Sequence, residues 1–296
     1  TGQILYKIPT GAGVSGTPSG LAQLNNYVEK AEIDNTTVRV YGTDVIGNIW
    51  RFDVNDNTPP SPGREATLVG VAKDNGGTPQ PITTRPELTV VGGQPMLFVA
   101  TGKLLGATDS ADVQTQSVYG IIDPVVPTTA FADLRGSLAP LAMTQVGVGP
   151  GAYRTVRCTG TTVRCGSANG WVVDLPDTGE RVNVEMKLRS QTLIIGSNVP
   201  LISACTAGGY SWLNYLNFRS GLAVIGSSNL SVSTSVANSL IVGLTVITLS
   251  RGGPPGSGVP AGLVTTSNAG VLTLDIPFAP TSPPVKRISW REVLAP

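Results

Sequence analysis

The feature that most constrains this chain is a short frame that recurs along it. A glycine or another small residue precedes an alternating apolar run, and an acid or amide follows at a turn. The frame reads as "GNIWRFD", "QSVYGIID", "NGWVVDLP", "SWLNYLNFRSG" and "AGVLTLDIP", and the opening "TGQILYKIPTG" has the same shape with Ile8 in the acid position. The turn positions are then Ile8, Asp53, Asp123, Asp174, Asn217 and Asp275, 43 to 70 residues apart. Alternation with period two marks a strand, and a repeat of about 40–50 residues marks the four-stranded blade of a propeller, with insertions falling in loops. Unrelated sandwich strands would also alternate, but they have no reason to share the flanking glycine and acid. The run Ile49, Trp50, Phe52 is expected to lie between neighbouring blades, where both faces of a strand are apolar. The acid that follows is expected to accept hydrogen bonds from the N–H groups of the turn. Trp50, Trp171, Trp212 and Trp290 are expected to pack blades rather than to line a ligand site.

Composition agrees with short strands joined by turns. Gly (36) and Pro (23) are frequent and charged residues make up 13% of the 296 residues, which suits turns and pleated surfaces better than helices. One helix is expected, over "SGLAQLNNYVEKAEI", although it lacks a clear apolar stripe. Twenty Lys and Arg nearly cancel nineteen Asp and Glu, so no net field favours nucleic acid or an anionic membrane. The longest apolar run, "SLIVGLTVITLS", is too short to span a bilayer. The chain opens on Thr1 and reads as a mature or excised piece.

Histidine is absent. That removes the Ser-His-Asp and Cys-His nucleophile systems, the HExxH zinc sites and the commonest general base. The remaining motifs are weak. "GAGVSG", Gly11 to Gly16, matches the dinucleotide fingerprint, but Pro18 and Gly20 stand where its helix should begin. "ATGKLLG" lacks the first glycine of a phosphate loop and has Leu104 in place of its Ser or Thr. "DVNDN", Asp53 to Asn57, spaces oxygens as a calcium loop does, yet Arg64 stands where the bidentate Glu belongs. Three cysteines, Cys158, Cys165 and Cys205, carry no zinc spacing; on composition alone they suit buried thiols or a bridge equally.

Taken in order, "VYGTDVIGNIWRFDV", "PITTRPELTV", "LFVATGKLLGATD", "QSVYGIID", "NGWVVDLPDTGERV", "CTAGGYSWLNYLNFRSG" and "RISWREVL" resemble the C-terminal propeller domain of the type IV pilus tip-associated adhesins. The resemblance runs from about Thr1 to Pro296 and is weakest over 222–270. It implies an all-β fold, a modified β-propeller that is partial or reduced, with about four to five blades of a seven-bladed family fold in one domain over 1–296. It also implies a non-enzymatic, secreted protein at the pilus tip or outer cell surface. Such a protein supports pilus biogenesis, controls retraction and hence twitching motility, and promotes adhesion. Its partners would be minor pilins and a surface or host ligand. The alternatives are a propeller enzyme of the quinoprotein dehydrogenase kind and, further off, a nicotinamide-dependent oxidoreductase.

An oxidising compartment favours a disulfide, and Cys158–Cys165 across "TGTTVR" is the expected pair, with Cys205 left as a buried thiol. The family's calcium loop, nine residues just before the "RVY" strand, falls on Lys30, Glu32, Asp34, Thr36 (through its carbonyl) and Val38. Val38 offers no side-chain oxygen and Lys30 brings an ammonium to a hard divalent cation. The loop is therefore expected to survive as a turn that does not hold calcium; the competing possibility is a weak ion held by Glu32, Asp34 and Asn35 through waters and carbonyls.

Overall fold

The computed structural model describes residues 2, 4, 7–30, 33–54, 66–149, 151–159, 168–201, 208–225, 227–249 and 259–277. It is all-β, with 54% strand and 5% helix, as the period-two frame and the scarcity of helix formers require. The sheets follow one another in chain order. β1 (Gly13–Val14) and β2 (Thr17–Pro18) form a small hairpin, and β3 (Leu21–Lys30), β4 (Asp34–Asp44), β5 (Asn48–Asp53) and β6 (Thr67–Val71) form a four-stranded meander. A ten-stranded sheet holds β7 (Glu87–Val91), β8 (Gln94–Ala100), β9 (Ser117–Ile122), β10 (Ala139–Val146), β11 (Tyr153–Cys158), β12 (Gly170–Asp174), β13 (Lys187–Arg189), β14 (Thr192–Leu201), β15 (Gly208–Asn217) and β16 (Ser231–Val236). The last sheet is β17 (Ile241–Leu249), β18 (Val259–Thr266) and β19 (Val271–Asp275).

The ten-stranded sheet resolves into simpler parts. Its neighbours run β7-β8-β9-β12, then β10-β11, then β16-β15-β14-β13. Two antiparallel meanders are thus joined along their outer strands by the β10–β11 hairpin, through a parallel pairing of β10 with β12 and an antiparallel one of β11 with β16. The first strands of successive meanders also lie side by side, β3 by β7, β7 by β13 and β13 by β17. The joined meanders meet at both inner and outer strands, which leaves the ten-stranded sheet nearly closed.

The repeated strands are distributed differently from a one-per-sheet arrangement. Those ending at Asp53, Asp123, Asn217 and Asp275 (β5, β9, β15 and β19) are the third strands of four meanders. The strand ending at Asp174, β12, is instead the hydrogen-bonded neighbour of β9, with Gly170 opposite Ile121 and Asp174 opposite Ser117.

Period two explains the core. On β8, Met96, Phe98 and Ala100 face one apolar cluster while Leu97 and Val99 face another. On β12, Trp171 and Val173 point to the first and Val172 to the second. On β14, Leu193 and Ile195 join the first cluster and Ile194 a third, with Leu213, Ile241 and Val264. Central strands are buried on both faces because each face serves a different sheet-to-sheet interface. Trp50, Trp171 and Trp212 are all buried, consistent with packing; Trp290 lies outside the described residues.

The glycines of the frame have a steric cause. Gly47 has φ +87°, and a Cβ there would sit 2.8 Å from the Ala72 carbonyl. A Cβ at Gly170 would overlap the Gly120 carbonyl across the β9–β12 pair. Both positions demand the one residue without a side chain.

One expectation is corrected. Leu21–Lys30, expected to be helical, is strand β3 paired with β4. Without an apolar stripe a helix could bury only Tyr27 and its neighbours singly, whereas the strand seats Tyr27 edge-on against Tyr41, with centroids 6.4 Å apart. The weak motif "GAGVSG", read as a loop of small residues, lies in the β1–β2 hairpin, with its last glycine in the turn between the two strands.

Candidate functional site

The tip of the β3–β4 hairpin carries the calcium-loop positions. Lys30 and Asp34 are cross-strand partners; the side chain of Lys30, and Glu32 altogether, lie outside the described residues. Asp34 is exposed, and its Oδ1 accepts the Thr36 N–H at 2.9 Å. Hydrogen bonds from Thr36, side chain and backbone, hold the Asp34 carboxyl below its usual range. Thr36 is exposed within β4, and Val38 packs against the cluster of Tyr41, Ile49 and Val69. Among the described positions, Asp34 Oδ1 is engaged by its own turn, and Val38 brings a half-buried apolar side chain where a ligand oxygen would be needed. Among the described residues no group of three acids or cysteines could hold a metal ion.

Cys158 ends β11 and is disulfide-bonded. Cys165 and Cys205 both lie outside the described residues, so the expected Cys158–Cys165 pairing does too.

The repeated acids assemble ion-pair clusters that the frame alone did not reveal. On β5, Arg51 alternates with Trp50 and Phe52 and is fully buried. Its Nη1 donates to both oxygens of Asp123 at 3.0 Å, its Nε to Asp53 at 3.1 Å, and its Nη2 to the Val126 carbonyl. Asp123 also accepts the Tyr41 hydroxyl at 2.8 Å and the Val125 N–H at 2.8 Å. Arg39 closes the cluster on Asp53 at 3.1 Å. Burial, the Asp123 charge and the hydrogen bond to it push the Tyr41 phenol far up. For Arg51 burial works against the charged form, but Asp123 and Asp53 outweigh it and raise the guanidinium. Asp53 thus accepts side-chain guanidinium groups from Arg39 and Arg51; the turn that follows it, 55–65, lies outside the described residues, and so do the N–H groups expected to bond it. Asn217 does accept such groups, from Arg219 and Ser220.

A second cluster surrounds Asp174. Arg135, from the single-turn helix α1 (Leu134–Ser137), donates Nη2 to both Asp174 oxygens at 2.6 Å and Nε to Asn75 at 2.9 Å. Ser117, opposite Asp174 in the sheet, donates to it at 2.6 Å. This group forms one wall of an open pocket of about 550 Å³ that Lys73, Asp74 and Asp133 also line. A third cluster is deeper: Arg154 on β11 bonds Glu180 at 2.7 Å and Asp177 at 2.8 Å, with its guanidinium 4.0 Å from the centre of the Trp212 ring. In all three, cation and carboxylate are spent on each other. One sequence signal does exist: the "RFD" spacing puts Arg51 and Asp53 on one face of a strand. Arg135 and Arg154 meet acids 39 and 23 to 26 residues away, which no local pattern announces.

No family model matches the chain. It is homologous to two proteins of Xylella fastidiosa strain Temecula1, each described as a type IV pilus biogenesis factor PilY1 homolog. One is 28% identical over 250 residues, covering 78% of this chain and 17% of that protein; the other is 28% identical over 277 residues, covering 90% and 22%. The chain therefore spans about a fifth of the length of these curated relatives. Its fold matches the crystal structure of the Pseudomonas aeruginosa PilY1 C-terminal domain with a TM-score of 0.62 at 21% identity, covering 90% of this chain and 62% of that one.

Proposed function

We propose that the chain is a type IV pilus-associated, non-enzymatic module that acts outside the cell, at the pilus tip or outer surface. In this reading it supports pilus biogenesis, tempers retraction and presents a rigid surface for adhesion, with minor pilins as its partners. The observation that carries the reading is the homology to two pilus biogenesis factors over 78% and 90% of the chain. No helix among the described residues is long and apolar enough to cross a membrane. The architecture is read as four blades of an incomplete propeller, the β10–β11 hairpin being an insertion that stitches two of them together. Support comes from four meanders whose first strands lie side by side.

The deciding experiment is a pull-down of the chain against the minor pilins of its host, paired with pilus counts in a strain lacking the corresponding gene. Retention of at least one minor pilin and loss of surface pili are expected. Absence of both would refute the pilus role. Dye-linked dehydrogenase assays with added quinone cofactor, and a titration with nicotinamide cofactors, test the non-enzymatic part; turnover in the first or micromolar binding in the second would reverse it.

A further inference from the structure

A cavity of about 390 Å³ lies between the tip of the β10–β11 hairpin, the start of β15 and the turn after β16. Its volume sits at the small end of ligand pockets, about 300–1,000 Å³. Its walls contrast with those of the Arg135 pocket. Among the described residues that line it, Gln145, Tyr210, Trp212, Ser235 and Asn238 stand beside small and aliphatic ones, and none of these carries a charge. The Tyr210 hydroxyl and the Trp212 indole N–H both donate to Asp177 Oδ2, at 3.1 and 2.8 Å. Asp177 is in turn held by Arg154 at 2.8 Å. The two aromatic side chains are therefore locked by their polar tips, Trp212 behind and Tyr210 half-buried at the cavity. Burial and the neighbouring Asp177 push the Tyr210 phenol up to about 12, so its hydroxyl stays a donor through the physiological range.

We propose that this cavity binds a neutral saccharide, one or two sugar rings in size. An anion entering it would lose hydration and meet the Asp177 carboxylate behind Tyr210 and Trp212, and an amine would find that carboxylate already held by Arg154. A purely apolar ligand would offer no hydrogen bond to the Gln145 carbonyl oxygen, the Asn238 amide or the weakly bonded Ser235 hydroxyl. A sugar ring offers what the walls ask for, a C–H face for the fixed Tyr210 ring and hydroxyls for the amides and the serine. Gln145 Nε2 donates to the Gly147 carbonyl at 3.0 Å, which fixes the amide and leaves its carbonyl oxygen to accept. Ser235 makes one long bond, 3.4 Å, to the Gly149 carbonyl, a contact weak enough for a ligand hydroxyl to replace.

This inference stands on the cavity and not on the pilus reading, and its test is independent of any pilin. The whole chain is titrated, by saturation-transfer NMR and calorimetry, with glucose, galactose, mannose, N-acetylglucosamine and disaccharides of each. Glucuronate and glucosamine serve as charged counterparts. At least one neutral sugar is expected to bind with a Kd in the micromolar to low millimolar range, and its charged counterparts at least fivefold more weakly. Tyr210→Ala is expected to weaken binding at least tenfold and Asn238→Ala severalfold, while Tyr210→Phe, which keeps the ring, changes it less than threefold. Asn238 is exposed, so its variant tests the site even where Tyr210→Ala fails to fold. Failure of every sugar to bind, tighter binding of a charged counterpart, or binding indifferent to Asn238→Ala and Tyr210→Ala would overturn the proposal.

Discussion

Asp123 and Asp174 hold the same place in the recurring frame, and each receives two hydrogen bonds from one arginine. Their surroundings are opposite. Asp123 is fully buried, whereas the Asp174 side chain is 29% exposed at the rim of an open pocket. The cause is the antiparallel pairing of β9 with β12, which sends the ends of the two strands to opposite edges of the sheet. One end runs under the first meander, where Arg51 and Tyr41 cover it; the other opens beside α1. At these two positions the frame places an acid that accepts an arginine from another segment, and topology decides how much that pair weighs. Asp34, exposed and, among the described residues, bonded within its own turn, extends the series to the surface.

This ordering by burial can be broken at each step. Asp123→Asn should have the largest effect, a loss of about 3 kcal/mol in urea unfolding, because it leaves the Arg51 charge buried with only Asp53 beside it. Adding Arg51→Met should recover part of that loss, since no unpaired charge then remains inside. An Asp123→Asn variant as stable as the parent would show that the pair is not what binds the first meander to the second.

The next effect is on alkaline stability and concerns the same cluster. The Tyr41 phenol is raised above its ordinary value of 10.0, so the proton is held more tightly in the folded chain than in the unfolded one. The resulting stabilisation is fully present below about pH 10 and is lost as pH rises beyond it, by at most about 1.4 kcal/mol per pH unit. Comparison of the parent with Tyr41→Phe at pH 9 and pH 11 isolates this share, and the parent should lose more between the two. Equal losses would mean that Tyr41 does not titrate differently on folding.

Asp174→Asn should cost less, about 1 kcal/mol, the scale of a partly solvated pair, because one of the two accepting oxygens is lost at a rim that water can reach. The loss should shrink in 1 M salt as screening weakens the pair. A cost equal to that at Asp123 would end the argument that burial sets the difference. The smallest response belongs to the hairpin tip. Millimolar calcium should give no binding heat with the parent chain, and Asp34→Ala should leave that result unchanged. Tight binding abolished by Asp34→Ala would show that the hairpin gathers ligands after all.

Much of the fold was legible. β5, β9, β12, β15 and β19 were marked by period two with a small residue before and an acid or amide after, and the buried tryptophans by their place inside those runs. The segment over Leu21–Lys30 was misjudged because its two asparagines and isolated apolar residues carry neither period clearly; pairing with β4 made it a strand. The candidate sites were less legible. The degenerate calcium positions could be read from chemistry, but that Val38 packs, half-buried, against a core cluster required the neighbouring sheet. Arg51 could have been paired with Asp53 by spacing, yet its stronger partner is 72 residues away.

The sequence by itself determined the all-β class, the glycine turns and the absence of imidazole chemistry, because alternation, backbone sterics and composition act within a few residues. Tertiary structure alone decided that β9 and β12 share a sheet, that a hairpin sews two meanders together through a parallel pair, and which repeated acid is sealed from water. Those outcomes rest on contacts between segments tens of residues apart, whose energy depends on burial, and burial exists only once the sheets have stacked.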